Sequence, residues 1–115
     1  MIDKSLITGS TTTLILKLLE EKDMYGYQMI ETLSKKSDDT FRLKAGTLYP
    51  ILHSLEKDGA VEAYEEKTEG AKLRKYYHLT SKGKKLLVGK QQEWTDYTAA
   101  VNKVLNGGAS VALIG

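Results

Sequence analysis

Apolar residues recur at helical spacing through the first half of the chain and at strand spacing beyond it. Leu14, Ile15, Leu18 and Leu19 form a stripe that predicts a helix from about Ser10 to Lys22, with Ser10 as its N-cap. Asp23-Met24-Tyr25-Gly26 breaks the pattern. Met29, Ile30 and Leu33 then predict a second helix from about Gly26 to Lys36, and the polar run from Ser37 to Lys44 predicts a connection. In AGTLYPILHSLEKDG, Ala45 to Gly59, the residues Leu48, Ile51, Leu52 and Leu55 fall at i, i+3, i+4 and i+7, one face of a third helix. Thr47, Tyr49, His53, Ser54 and Lys57 fall on the other face. Gly59 suits the C′ position, where a left-handed backbone costs glycine least. Pro50 costs little if this helix begins near Thr47, because the first N–H groups of a helix have no internal partner. If it begins near Ala45, a mild kink is expected.

After Gly59 the period changes to two. Val61 and Ala63 alternate with Glu62 and Tyr64; beyond Thr68-Glu69-Gly70-Ala71, Leu73, Tyr77 and Leu79 share one parity, and Lys72, Arg74, Tyr76 and His78 the other. Two such runs around a glycine-containing turn predict a β-hairpin, with a register the turn does not fix. Thr80-Ser81 can cap a long last helix from about Ser81 to Leu105. Leu87, Trp94 and Val101 are spaced by seven, as are Lys90, Tyr97 and Val104: a short heptad seam with one polar member. Asn106-Gly107-Gly108 ends it.

At 115 residues the chain is long enough for one domain with a modest core. It has no cysteine, which excludes a disulfide scaffold and a thiolate metal site and fits an intracellular setting. No apolar run approaches the ~18 residues of a membrane span, and MIDKSLITGS lacks a signal-peptide pattern. A cytoplasmic location without membrane association is expected. The net charge is only +2, but its distribution is uneven. Lys72 to Lys90 holds seven cations and no acid, whereas Glu56 to Glu69 holds six acids. That switch of sign builds either a one-sided field or a solvated surface that happens to segregate charge. His53 and His78 have no suggestive carboxylate nearby in sequence, and a surface or interface role is the simpler reading for both. No phosphate loop, metal-ligand spacing or nucleophile elbow appears. An enzyme, a metal and a cofactor are therefore not expected.

The order helix, helix, helix, hairpin, helix is that of a winged helix-turn-helix domain: mainly α with a small β-hairpin, followed by a long C-terminal helix. The expected division is residues 1–80 for the DNA-binding domain, 81–106 for a dimerisation helix and 107–115 for a flexible tail. A helix fits the major groove of B-DNA, and a two-stranded ribbon reaches a neighbouring groove or the backbone. Arg42, Lys44, Lys72, Arg74 and Lys75 are the phosphate candidates. Thr47, Tyr49 and His53 are the candidates near base edges, with Pro50 on the same helix, and Gly46 leaves room for a close backbone. The alternative for Tyr49 and Pro50 is packing against a neighbouring helix. The alternative for the whole chain is a winged-helix protein-interaction module, which the acidic first strand favours and the basic second strand opposes.

Gly46-Thr47-Leu48-Tyr49-Pro50-Ile51-Leu52 with Leu55-Glu56-Lys57-Asp58-Gly59 resembles the recognition-helix signature of the PadR family of bacterial transcription regulators. Arg74-Lys75-Tyr76-Tyr77-His78-Leu79-Thr80-Ser81-Lys82-Gly83 resembles that family's second wing strand and the entry to its last helix. Tyr25-Gly26-Tyr27 is similar to the start of its second helix. The resemblance spans Tyr25 to Gly83 and implies a dimeric, DNA-binding repressor of detoxification, efflux or stress genes, of the compact branch with one C-terminal helix. A two-fold dimer reads a two-fold site, so a palindromic double-stranded operator is expected. Some compact members bind flat aromatic compounds between tryptophans at the dimer centre, which makes Trp94 a ligand candidate here. Leu87, Trp94, Tyr97, Val101 and Val104 are the residues expected to face the partner.

Overall fold

The computed structural model describes residues 4–68, 70 and 72–107. Its elements run α1 (Lys4–Glu21), β1 (Met24–Tyr25), α2 (Gly26–Lys36), α3 (Ala45–Lys57), β2 (Val61–Lys67), β3 (Leu73–Leu79) and α4 (Ser81–Leu105). The three strands form one antiparallel sheet in the order β1-β3-β2. This is the winged-helix arrangement expected of the sequence. The expected tail falls almost wholly outside the described residues.

Each apolar stripe closes on the same core. Ile15, Leu16, Leu18 and Leu19 of α1 meet Met29 and Leu33 of α2, Leu48, Leu52 and Leu55 of α3, and Val61, Tyr77 and Leu79 of the sheet. The hairpin register pairs Val61 with Leu79 and Ala63 with Tyr77, so the apolar parity of both strands faces inward. α3 ends as Gly59 requires. Gly59 has φ +79°, its N–H donates to the Glu56 carbonyl at 3.0 Å, and the Ala60 N–H donates to the Leu55 carbonyl at 2.8 Å. That is a Schellman closure, and it hands the chain straight from α3 into β2.

Two local expectations need correction. Ser10 is not an N-cap: α1 begins about two turns earlier, and the Ser10 hydroxyl donates back to the Leu6 and Ile7 carbonyls at 3.1 and 3.2 Å. Thr11 makes the same back-bond to Ile7 at 2.6 Å. The break at Asp23–Gly26 contains a two-residue strand, Met24–Tyr25, which pairs with Tyr77 and Tyr76. At α4 the cap is Thr80. Its hydroxyl accepts from the Gly83 N–H at 3.0 Å and lies 2.7 Å from the Gly59 carbonyl and 3.0 Å from that of Ala60.

Candidate nucleic-acid interface

α3 carries its stripe inward and its remaining surface outward. Leu48, Leu52 and Leu55 are buried, while Gly46, Thr47, Tyr49, Pro50 and His53 are exposed. A β-carbon added at Gly46 would meet nothing within 4 Å, so the first turn has open space beside its backbone. The helix starts at Ala45 with Lys44 as N-cap, which places Pro50 inside it. The Gly46 carbonyl therefore has no helical N–H to receive, at a residue that faces solvent. Tyr49 serves two surfaces. It is 40% exposed, yet its ring lies over Gly26 at the start of α2, where a β-carbon would collide with the Tyr49 hydroxyl and ring. Packing and exposure are thus both true of Tyr49, and Gly26 is needed for that approach.

Arg42 and Lys44 lie in and at the end of the α2–α3 connection. Both are exposed, and Arg42 has Asp39 at 3.8 Å as a loose neighbour. The three wing cations do not form one patch. Lys72 precedes β3; Arg74 and Lys75 are successive strand residues and point to opposite faces of the sheet. Arg74 lies over the Tyr25 ring, 4.5 Å from its centroid, on the outer face. Lys75 lies 5.7 Å from the Tyr77 ring centroid, on the face toward the helices. The acids of β2 sit opposite these cations: Glu65 faces Lys75 and Glu66 faces Arg74. Among the described residues neither pair closes to an ion pair. They remain cross-strand neighbours that temper the field of the wing. Thr68 closes the hairpin end, its N–H and hydroxyl both on the Lys72 carbonyl at 2.9 and 3.0 Å.

The sequence reading found no carboxylate for His78, and the structure supplies one. Asp23 Oδ1 lies 2.9 Å from His78 Nδ1, and Asp23 Oδ2 accepts from the Tyr64 hydroxyl at 2.6 Å. Tyr64 stacks on Tyr76, with centroids 5.7 Å apart, and Tyr76 meets Tyr25 edge to face at 5.4 Å. Asp23 and Tyr64 carried no individual signal in the sequence, and Tyr25 and Tyr76 entered it only as members of longer motifs.

On the far side of the domain, α4 presents Trp94 (50% exposed), Tyr97 and Val104, with Val101 half-buried. Leu87 leaves this set. It is fully enclosed in the chain's own core and has no surface to offer a partner. Trp94 borders an apolar groove of about 420 Å³ formed with Leu6, Ser10, Thr13 and Leu14 of α1 and with Phe41. A second hollow of about 380 Å³ continues past Lys90 and Tyr97. Phe41 and Leu6 were missed by the sequence reading. An aromatic residue inside the polar run from Ser37 to Lys44 was the one available hint. No helix among the described residues is long and apolar enough to cross a membrane, and no cluster of metal-ligating side chains occurs among them.

The chain is similar to known proteins over nearly all its length. It is 34% identical over 107 residues, 93% of this chain and 98% of the relative, to an uncharacterised protein of Lysinibacillus sphaericus. Its fold superposes on a transcriptional regulator from Clostridium thermocellum with a TM-score of 0.83 at 34% identity, covering 90% of this chain and 97% of that one. A PadR family transcriptional regulator from Eggerthella lenta gives a TM-score of 0.76 at 32% identity, over 88% and 86% of the two chains. Residues 15–88 match the family model of the PadR-like transcriptional regulators. With three helices around a short sheet, an outward-facing α3 and a basic wing strand, this chain belongs to the PadR-like family of DNA-binding transcriptional regulators.

Proposed function

We propose that this regulator acts as a homodimeric repressor on a palindromic operator and is released by a flat aromatic effector. The observation that carries the DNA half is the exposed face of α3, with Thr47, Tyr49 and His53 outward and open space at Gly46. Two such helices, related by a two-fold axis, read successive major grooves roughly 34 Å apart. Arg42, Lys44, Lys72, Arg74 and Lys75 hold phosphates. The exposed face of α3 lacks arginine, the side chain that reads guanine best, so DNA shape and the wing contribute to selectivity. The effector half is supported by the apolar groove beside Trp94, which suits a ring stacked on the indole. The regulated genes are those of detoxification, efflux or stress.

The test is a titration of duplex DNA across salt concentrations. Replacing Arg74 and Lys75 with Ala together is expected to weaken binding to every sequence and to flatten the salt slope by about one to two units, at about 0.9 per phosphate contact. An unchanged slope sinks the wing assignment. Salt-independent binding by the unaltered protein favours the second reading, a protein-interaction module, which the exposed acids Glu62, Glu65 and Glu66 of β2 would suit.

A further inference from the structure

The outer face of the sheet carries an arrangement that direct contact with DNA does not explain. Asp23 immediately precedes β1. Because Met24 pairs with Tyr77, one step back along the antiparallel register sets Asp23 opposite His78. Tyr64 belongs to β2, on the far side of β3, and β1 and β2 are not neighbours. Two interstrand spacings, about 9–10 Å, separate them. Tyr64 reaches diagonally across β3 to Asp23 Oδ2 while His78 of β3 holds Oδ1. One carboxylate thus ties both strands of the hairpin to the body of the domain, with a separate oxygen for each.

The tie falls where the ladder is weakest. β1 contributes only Met24 and Tyr25 to the sheet, and β2 is an edge strand. Among the described residues from Glu65 to Arg74, the two hairpin strands pair only with each other. The next rung carries three rings across the sheet, Tyr64 on Tyr76 and Tyr76 against Tyr25, and the guanidinium of Arg74, one rung nearer the tip, lies over Tyr25. A cation over a ring face is held in place as well as attracted.

We propose that Asp23 is a positioning residue for the wing: by holding Tyr64 and His78 together it fixes the tyrosine rung and, through it, the place of Arg74. The proposal rests on the reading of Arg74 as a phosphate contact.

The ionisation of the cluster supports it. Tyr64 is pushed up to about 12, first by its hydrogen bond to Asp23, then by burial and by the negative charges of Asp23 and Glu66. Partial burial works against the Asp23 carboxylate, but the hydrogen bonds from Tyr64 and His78 outweigh it and hold its pKa below the usual aspartate value. The charged groups on this face are Glu62 opposite His78 and Glu66 opposite Arg74. A lowered Asp23 pKa gives a contribution present above the ordinary aspartate value of about 3.9 and lost as pH falls through the lowered one. A raised Tyr64 pKa gives one present below about 10 and lost as pH rises through the shifted value. Between those limits, Asp23 is charged and Tyr64 retains its proton, as the tie requires.

The experiment compares the unaltered protein, Asp23→Ala, Asp23→Asn, Tyr64→Phe, Arg74→Ala and the Tyr64→Phe/Arg74→Ala double variant, each checked for folding by circular dichroism. The probe is a labelled random-sequence DNA duplex titrated at several salt concentrations. Tyr64→Phe keeps the ring and its stacking and removes only the hydroxyl. Asp23→Ala and Tyr64→Phe are expected to weaken binding about three- to tenfold and to flatten the salt slope by about 0.9, the loss of one phosphate contact. Asp23→Asn, which keeps one acceptor oxygen, should fall between Asp23→Ala and the unaltered protein. The double variant should bind no more weakly than Arg74→Ala alone, because the tie acts through that arginine. In Asp23→Ala the Tyr64 ionisation should return toward about 10. If Arg74→Ala weakens binding while Asp23→Ala and Tyr64→Phe do not, the positioning role is overturned and the wing reading survives. Additive losses in the double variant, or a Tyr64 ionisation indifferent to Asp23, also overturn it. If Arg74→Ala itself changes nothing, the wing reading fails and the proposal fails with it.

Discussion

The first turns of α4 and the turns that follow share an apolar pattern and meet opposite environments. Gly83 and Leu87 are buried against the rest of the domain. From Trp94 onward the same helix carries Trp94 at 50%, Tyr97 at 58%, Val104 at 81% and Leu105 at 74% exposure. The two stretches differ in what lies opposite. The early turns follow the Thr80 cap, which is tied to the Gly59 and Ala60 carbonyls, and pack over the end of β3. Among the described residues, the later turns have beside them α1 and the two hollows that border Trp94 and Tyr97. Periodicity identifies an apolar face; it does not say whether the same chain or another one covers it. The proposed homodimer gives the later face its cover.

Two substitutions on this helix test the contrast most strongly. Leu87→Ala should cost about 2.7–5 kcal/mol of protomer stability, the range for a fully buried leucine, measured by urea unfolding. Trp94→Ala should cost the protomer only about 1–2 kcal/mol, well below Leu87→Ala, because half of the indole is exposed, when unfolding is followed at concentrations below dimer formation. It should also weaken the dimer by about 2 kcal/mol or more, as loss of a large aromatic anchor does. Sedimentation equilibrium reads that as a dissociation constant raised about thirtyfold. A protomer loss of several kcal/mol in Trp94→Ala would break the comparison, because the later turns would then belong to the core.

The same distinction separates what the sequence disclosed from what it withheld. α2 and α4 were read with their observed ends, because each has a strong 3.6-residue stripe and a clear stop or cap. The hairpin was legible from period two on both strands, with its inward parity correct. The start of α1 was not. Ser10 and Thr11 look like N-terminal residues, yet inside a helix they bond back to earlier carbonyls, and one sequence motif serves both uses. β1 is two residues long and has no period to detect. In the interface, the outward placement of Thr47, Tyr49 and His53 followed from the α3 stripe. The Asp23 cluster could not be foreseen, because its partners lie 41 and 55 residues away and meet only through the sheet register. Leu87 fits the seam by spacing and lies in the core by position, because a heptad position carries no information about which surface it meets.

A pair of glycines on α4 tests the contrast with smaller effects. A β-carbon at Gly83 would collide with the Ala60 carbonyl and the Leu79 side chain, and the first of these is backbone. Gly83→Ala should therefore destabilise the protomer by about 1–3 kcal/mol, the usual cost of overpacking, despite the better helix propensity of alanine. At Gly89 a β-carbon meets nothing within 4 Å, and the residue is exposed. Gly89→Ala should gain about 0.8–1 kcal/mol of helix stability, since alanine restricts the unfolded backbone and favours the helix. Both effects are read from protomer unfolding at low concentration, and the opposite signs are the result expected. Dimer affinity supplies the finer measurement. If the partner helix approaches α4 closely at Gly89, the added methyl will weaken the dimer while stabilising the protomer. If the partner contacts begin at Trp94, dimer affinity will be unchanged. The sign of that second effect marks where, along one helix, the surface covered by its own chain gives way to the surface left for another.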